Sequence, residues 1–263
     1  MNINSGLFAG SMLAMLILAP QGSAAPLKVA CIGNSITAGF GIPEAERAAK
    51  SYPAVLQQKL GAGYIVNNYG ASGTTLLKQG TRPYWDQGAF TNSHAWLPDI
   101  VILQLGTNDA NPANKAYWSG FQADYIDMVN SYKNLSSHPK MYCNLPPAIY
   151  LTKPTDASDS ALAKYIIPAI KEAARLTAPQ VIDVHSATSG KPELFPDKLH
   201  PDSIGARLIA ETVYQAFRAT GISQGGRQAW ASPLDFSQAF WPGALDPIRP
   251  DGRLLGPAPI PRE

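Results

Sequence analysis

The fold is decided by residues 27–37, LKVACIGNSIT, where a short and mostly apolar run meets a glycine and then a serine. The run covers residues 27–32 and shows no strict alternation of polar and apolar residues. Such runs are typical of strands that are buried on both faces, as they are in parallel sheets. These residues therefore predict a first strand and a turn, with Ser35 just beyond the carboxyl end of the strand.

The same organisation recurs along the chain, because further apolar runs of strand length are each followed by a turn and a helical pattern. Strands are predicted over residues 64–68, 100–105, 141–145 and 181–184. Helices are predicted over residues 121–135, 160–176 and 203–220. Repeated strand–helix units predict an α/β fold in which a parallel sheet lies between two layers of helices, a three-layer α/β/α sandwich.

The composition is that of one globular domain. A chain of 263 residues suffices for one well-buried core but is short for two full domains. Charged residues make up 15% of the chain, and the net charge is +2 with no block of Lys or Arg. A chain without such a block is not expected to bind nucleic acid.

The two ends of the chain differ from its middle, which is predicted to be one domain over residues 26–220. Residues 7–19 are apolar and precede small residues, as in a signal peptide over residues 1–25, although the first six residues carry no Lys or Arg. The run is too short for a comfortable membrane span, and the alternative is an uncleaved N-terminal anchor. We expect a secreted or periplasmic protein without stable membrane insertion after signal removal. Residues 221–263 are rich in Pro and Gly and predict a tail, disordered or partly docked.

Three polar blocks follow the first three predicted strands, and a fourth precedes the last predicted helix. They are Gly33-Asn34-Ser35, Gly73 within residues 68–74, Gly106-Thr107-Asn108, and Asp197 with His200. A serine at such a turn is a candidate nucleophile, although each block taken alone is more often a turn or a helix cap. Asp and His at this spacing can meet in one tight turn, so that the carboxylate orients the ring as a base. In open α/β folds, ligands bind at this edge of the sheet.

In this combination and order, the four blocks resemble the SGNH/GDSL hydrolase family over about residues 28–217. The resemblance implies a flavodoxin-like, five-stranded parallel sheet of order 2-1-3-4-5. It also implies that Ser35 is the nucleophile and His200 its base, oriented by Asp197. We expect the side chains of Ser35 and His200 to be exposed in the site. Asn34 departs from the family, which usually has Asp there, and so removes a charge beside the nucleophile.

The resemblance further implies an oxyanion hole and an ester hydrolysis that passes through an acyl-enzyme. The hole would consist of the backbone N–H groups of Ser35 and Gly73 and the side-chain amide of Asn108. This chemistry requires no metal or organic cofactor. The two cysteines, Cys31 and Cys143, belong to no zinc-type cluster. They fall on strands that a third strand would separate, so we expect them to remain unbridged.

Three further segments narrow the expected substrate. Residues 51–56, 73–77 and 83–85 resemble bacterial SGNH esterases assigned as sialate or carbohydrate O-acetylesterases. The resemblance implies a small-molecule or glycan ester as substrate, with acetyl as the acyl group. Tyr84 and Trp85 are candidates for stacking on a sugar ring near the mouth of the site. The alternative is that these two side chains anchor a loop.

Two other functions stay open. A lipid-directed esterase (a lysophospholipase, lipase or thioesterase) would use the same residues on longer acyl chains, but the sequence shows no long apolar lid. The second is a catalytically silent glycan-binding module on the same fold. The intact set of Ser35, Gly73, Asn108, Asp197 and His200 argues against a silent module.

Overall fold

Five parallel strands form one sheet in the computed structural model, which describes residues 25–221. The strands are β1 (Leu27–Gly33), β2 (Tyr64–Gly70), β3 (Ile100–Gln104), β4 (Lys140–Asn144) and β5 (Gln180–Ile182). Their order is β2-β1-β3-β4-β5, and all neighbouring pairs are parallel. The predicted parallel sheet and its strand order are confirmed.

Nine α-helices connect and flank the strands in this part of the chain. They are α1 (Ser35–Ala38), α2 (Glu44–Lys50), α3 (Tyr52–Leu60), α4 (Gly88–Ala95), α5 (Phe121–Lys133), α6 (Asp159–Ala161), α7 (Ile167–Thr177), α8 (Val184–Thr188) and α9 (Ser203–Ala219). A π-helical turn at Leu162–Ile166 joins α6 to α7, and 3₁₀ turns lie at Gly61–Gly63, Tyr84–Asp86, Pro112–Gly120 and Pro192–Leu194. The predicted helix over residues 160–176 is therefore interrupted by the π-helical turn.

The remaining differences from the predicted elements have local causes. The predicted strand over residues 181–184 ends at Ile182, because the Asp183 side chain accepts a hydrogen bond from Ser186 N and begins α8. The sequence pattern does not predict α2, α3 or α4, since these helices have 7, 9 and 8 residues and show no clear period.

Each face of the sheet carries its own hydrophobic core. Cys31 of β1 packs in the core that contains Leu56 of α3 and Ile209 of α9. The next residue, Ile32, belongs to the opposite core, together with Tyr125 of α5 and residues of α7. Because successive side chains of a strand point to opposite faces, helices cover both sides of the sheet. The predicted three-layer α/β/α sandwich is confirmed.

The two cysteines lie on strands that β3 separates. Cys31 of β1 is in register with Ile102, and Cys143 of β4 is in register with Leu103. Two strand spacings amount to roughly 9–10 Å, more than the Cα separation that a disulfide tolerates. Both thiols are free and buried, and burial raises the pKa of each to about 12. They behave as small apolar groups of the two cores.

The predicted signal peptide and tail lie outside the described residues, except for residues 25 and 221 at their inner ends. The boundaries of the predicted domain, at residues 26 and 220, therefore stay predictions. Within residues 25–221, no helix is both long enough and apolar enough to cross a membrane.

Candidate active site

Ser35 lies in a tight turn at the carboxyl end of β1. Gly33 ends the strand, and a Cβ at that position would lie 2.0 Å from the Thr37 hydroxyl oxygen, so glycine is required there. Asn34 begins α1, because its side-chain oxygen accepts a hydrogen bond from Ile36 N at 3.0 Å. The neutral amide thus forms the same cap that an aspartate would form, and the turn does not need the charge.

The structure brings Ser35, His200 and Asp197 into one line of contacts. His200 Nε2 lies 2.9 Å from Ser35 Oγ, although the two residues are 165 positions apart. His200 Nδ1 lies 2.6 Å from Asp197 Oδ2. When Nδ1–H donates to Asp197, Nε2 carries no proton and can accept one from the serine hydroxyl. The arrangement is that of a nucleophile with an oriented base.

The turn before α9 keeps Asp197 ionised. Asp197 Oδ1 accepts backbone hydrogen bonds from Leu199 N at 3.0 Å and from His200 N at 2.6 Å. Partial burial acts to raise the pKa of Asp197, but the hydrogen bonds from His200 and Leu199 outweigh it and hold the pKa below its ordinary value. The carboxylate therefore stays charged at neutral pH and can stabilise a protonated His200 ring.

Ser35 is more enclosed than a nucleophile on an open turn would be. It is 7% exposed, so the expectation that its side chain is exposed is wrong. Its neighbours Ile36 and Thr37 are buried with it, and the His200 ring is in contact with its hydroxyl. A reacting carbonyl must therefore approach Oγ from the side away from the ring.

Tyr150 clamps the loop that delivers His200 to the site. Tyr150 N donates to Lys198 O at 2.9 Å. The Tyr150 hydroxyl donates to Thr188 O at 2.6 Å and accepts from Lys191 N at 2.8 Å. These bonds join the segment after β4 to both ends of the loop between α8 and α9. We therefore expect these contacts, called here the Tyr150 clamp, to help hold His200 in place.

Removing the Tyr150 hydroxyl should slow catalysis without weakening substrate binding. Tyr150→Phe keeps the ring and the backbone bond to Lys198 but loses two hydrogen bonds, each worth about 1 kcal/mol. We expect kcat to fall about tenfold with KM unchanged, because a loosened His200 takes the proton less efficiently. Tyr142→Phe is the matched control, since that hydroxyl lies 3.0 Å from Thr220 Oγ1, beyond the other end of α9. Equal kcat values for the two variants would rule out the clamp.

The two other predicted oxyanion donors lie next to each other. A side-chain N–H of Asn108 donates to Thr74 O at 2.8 Å, which fixes the amide and leaves its second N–H for a ligand. Gly73 directly precedes Thr74 and has a φ of +75°, which other residues rarely adopt. Ala71 N donates to the last carbonyl of β1 at 2.9 Å, and this bond joins the turn to the one that carries Ser35.

Asp109 ties the Asn108 turn to the segment that follows Gly73. Its buried carboxylate accepts hydrogen bonds from Leu76 N at 3.0 Å and Leu77 N at 2.8 Å. Burial raises the pKa of Asp109 to about 6, although these backbone donors act to lower it. These contacts hold the Asn108 turn against the segment after Gly73. Among residues 25–221, no group of three or more His, Cys, Asp or Glu side chains is arranged to hold a metal ion.

The prediction that Tyr84 stacks on a sugar is wrong. Tyr84 is 0% exposed, and its hydroxyl donates to Tyr69 O at 2.7 Å. Trp85 is half-buried, with its indole N–H donating to Leu76 O at 2.7 Å and its ring 5.3 Å from that of Phe90. Both side chains are engaged with the body of the domain, as in the loop-anchoring alternative.

Phe40 is a residue of the site that the sequence analysis missed. Its ring lies 5.7 Å from the His200 ring, centroid to centroid, and the residue is 38% exposed. It stands between Gly39 and Gly41, both of which have a φ of +90°. An aromatic residue between two glycines, five positions after the candidate nucleophile, is the signal that could have identified it.

We expect activity to fall as the pH drops below neutrality. A base must be neutral to accept a proton, and the reference pKa of a histidine side chain is about 6.5. Because the pKa of Asp197 is lowered, this carboxylate stays ionised over the same range. Its contribution to stability is present above the unfolded-state pKa and is lost only as the pH falls through the lower folded-state pKa, so protonation of Asp197 does not produce this decline.

The pH dependence of kcat/KM for an acetyl ester measures this decline. A rate that stays flat down to about pH 5 would point to a base other than His200.

The sequence matches the GDSL-like Lipase/Acylhydrolase family over residues 31–208. It is 36% identical over 209 residues to an acetylxylan esterase of Xylanibacter ruminicola, covering 73% of this chain and 43% of that protein. It is 27% identical over 154 residues to the cellulase/esterase CelE of Acetivibrio thermocellus, covering 48% of this chain and 18% of that protein. The chain thus spans less than half the length of these two relatives.

Solved structures with the same fold include several esterases. Est24, a carbohydrate acetylesterase from Sinorhizobium meliloti, superposes with a TM-score of 0.60 at 17% identity, over 73% of this chain and 99% of that one. The native aryl esterase of M. smegmatis superposes with a TM-score of 0.58 at 19% identity, over the same shares of the two chains. At these identities the likeness establishes the fold.

Proposed function

This chain belongs to the GDSL-like lipase/acylhydrolase family, and we propose that it is a carboxylic ester hydrolase that removes acetyl groups from carbohydrates. The observation that carries the proposal is the unbroken contact from Ser35 through His200 to Asp197, at 2.9 Å and 2.6 Å. The match to an acetylxylan esterase at 36% identity supports acetylated sugars as the substrate class.

In the proposed mechanism, Ser35 Oγ attacks the ester carbonyl while His200 Nε2 takes its proton. The oxyanion accepts hydrogen bonds from the N–H groups of Ser35 and Gly73 and from the Asn108 amide, each worth about 3–4 kcal/mol when preorganised. His200 then gives the proton to the leaving alcohol, and an acyl-enzyme remains on Ser35. Water repeats the sequence and releases the acid. Asp197 stabilises the protonated ring and stays ionised throughout.

A panel of esters tests this proposal. It contains 4-nitrophenyl acetate, butyrate and octanoate, acetylated xylo-oligosaccharides and O-acetylated sialic acid, with Ser35→Ala as the control. We expect acetyl to be the preferred acyl group and acetylated sugars to be hydrolysed. Faster turnover of octanoyl than of acetyl esters would instead favour a lipid-directed esterase. Absence of labelling by a fluorophosphonate probe would favour a silent glycan-binding module.

The proposal includes export to the periplasm or the medium, where acetylated polysaccharides are accessible. It rests on the signal-type composition of residues 1–25, since those residues are almost entirely outside the described part of the chain. N-terminal sequencing of protein recovered outside the cytoplasm should begin near residue 26. Recovery of the full-length chain in the cytoplasm alone would contradict export.

A further inference from the structure

Phe40 is the side chain that determines which leaving alcohol the site accepts: we propose that its ring binds the sugar from which the acetyl group is removed. The inference rests on the proposed function and identifies its substrate contact. The Phe40 ring is tilted by 45° against the His200 ring at a centroid distance of 5.7 Å, and 38% of the residue is exposed. Phe40 thus takes the sugar-stacking role that was predicted for Tyr84 and Trp85.

The position beside His200 assigns Phe40 to the alcohol and not to the acyl group. His200 Nε2 must protonate the leaving oxygen, so that oxygen lies within hydrogen-bond reach of the ring. The carbonyl oxygen points instead to the proposed donors at Gly73 and Asn108. A side chain in contact with the His200 ring is therefore next to the departing alcohol.

The backbone around Phe40 fixes the ring in this place. A Cβ on Gly41 would lie 2.4 Å from Pro201 O and 3.0 Å from His200 Cβ, so the chain passes directly against the His200 turn. The φ of +90° at Gly39 and at Gly41 produces the sharp turn that presents Phe40. The backbone that carries Phe40 is therefore packed directly against the His200 turn.

Arg47 supports the ring from α2. Its guanidinium carbon lies 4.4 Å from the centroid of the Phe40 ring, and its Nε donates to Ile42 O at 3.0 Å. The remaining part of Phe40, 38% exposed, is an apolar aromatic surface. Such a surface can pack on the apolar C–H face of a pyranose. Removing water from the two surfaces stabilises the contact.

Two substrates with the same acyl group test the inference. One is an acetylated xyloside, whose leaving sugar reaches Phe40, and the other is methyl acetate, whose leaving methanol is too small to cover the ring. We expect Phe40→Ala to lower the ratio of their kcat/KM values, xyloside over methyl acetate, by about tenfold or more. Phe40→Trp should keep the ratio within about threefold, since a flat ring remains.

Two further variants complete the experiment. Phe40→Leu retains apolar bulk without a flat ring, and it should lower the ratio even if the alanine variant does not fold. Tyr214→Ala removes another ring that contacts a basic side chain, with Lys59 Nζ 5.5 Å from its centroid, and it should leave the ratio as it is. Tyr214 lies in α9, far along the helix from the His200 turn.

The outcomes separate this inference from the proposed function. Equal losses on both substrates in Phe40→Ala and Phe40→Leu would mean that the ring acts only through His200, and the inference would be overturned while the proposed function stands. If the unmodified protein hydrolyses methyl acetate but no acetylated sugar, both are overturned. A selective loss on the xyloside, restored by Phe40→Trp, supports the inference.

Discussion

Replacing Ser35 by alanine should reduce ester hydrolysis by at least about 10⁴-fold while the domain keeps its fold. The change removes the oxygen that forms the acyl bond. Within residues 25–221, Ser35 Oγ is the hydroxyl in hydrogen-bond contact with His200 Nε2. His200→Ala should reduce ester hydrolysis by as much, because the Ser35 hydroxyl proton then has no acceptor. The double variant should be no worse than either single one, since the two residues act as a unit.

The chain offers a matched control for this experiment. Ser189 also lies beside a histidine: its hydroxyl is 3.5 Å from His185 Nδ1, and His185 Nε2 is 3.0 Å from Asp159 Oδ1. The Ser189 hydroxyl, however, donates to His185 O at 2.8 Å, so its proton is already engaged with the backbone of α8. Ser189→Ala should therefore leave hydrolysis nearly unchanged.

Acetate release measures the loss of activity, and thermal unfolding measures whether the fold is kept. Ser35→Ala should unfold at nearly the same temperature as the unmodified protein, because a small hydroxyl is lost without a large cavity. Retention of more than about a tenth of the activity by Ser35→Ala, or a comparable loss in Ser189→Ala, would contradict the assignment of the nucleophile.

The features that sequence reasoning predicted correctly are those that local pattern determines. Short runs of strand length predict all five strands. The inner strands β1, β3 and β4 are buried almost throughout, as expected in a parallel sheet, whereas the edge strands β2 and β5 are partly exposed. Asp197 and His200 meet because they belong to one turn. The contact between Ser35 and His200 has no local signal at all, and it could be anticipated only from the resemblance to a family.

The features that sequence reasoning missed depend on packing between distant segments. The apolar pattern does not distinguish Tyr84, which is buried, from Phe40, which remains on the surface beside His200. The local signal for Phe40 is its pair of flanking glycines. The bonds of Tyr150 to Thr188 and Lys191 span about forty residues and follow no motif. The end of β5 and the start of α8 depend on a single capping side chain, Asp183.

Asn108→Ala should lower kcat by about 10²–10³. The side-chain amide uses one N–H to hold Thr74 O at 2.8 Å, so its second N–H is fixed in direction before any substrate binds. A donor that is preorganised in this way stabilises the charge that develops on the carbonyl oxygen in the transition state. The loss should therefore appear in kcat, with KM changed little.

A second variant separates the loss of side-chain volume from the loss of the hydrogen-bond donor. Asn108→Asp keeps the size of the side chain but cannot donate in its ionised form, and it places a negative charge where the oxyanion forms. It should lose at least as much kcat as Asn108→Ala. If loss of shape were the cause, the aspartate variant would be the more active of the two. A loss of less than about tenfold in Asn108→Ala would remove this residue from the oxyanion hole and leave the N–H groups of Ser35 and Gly73 as its donors.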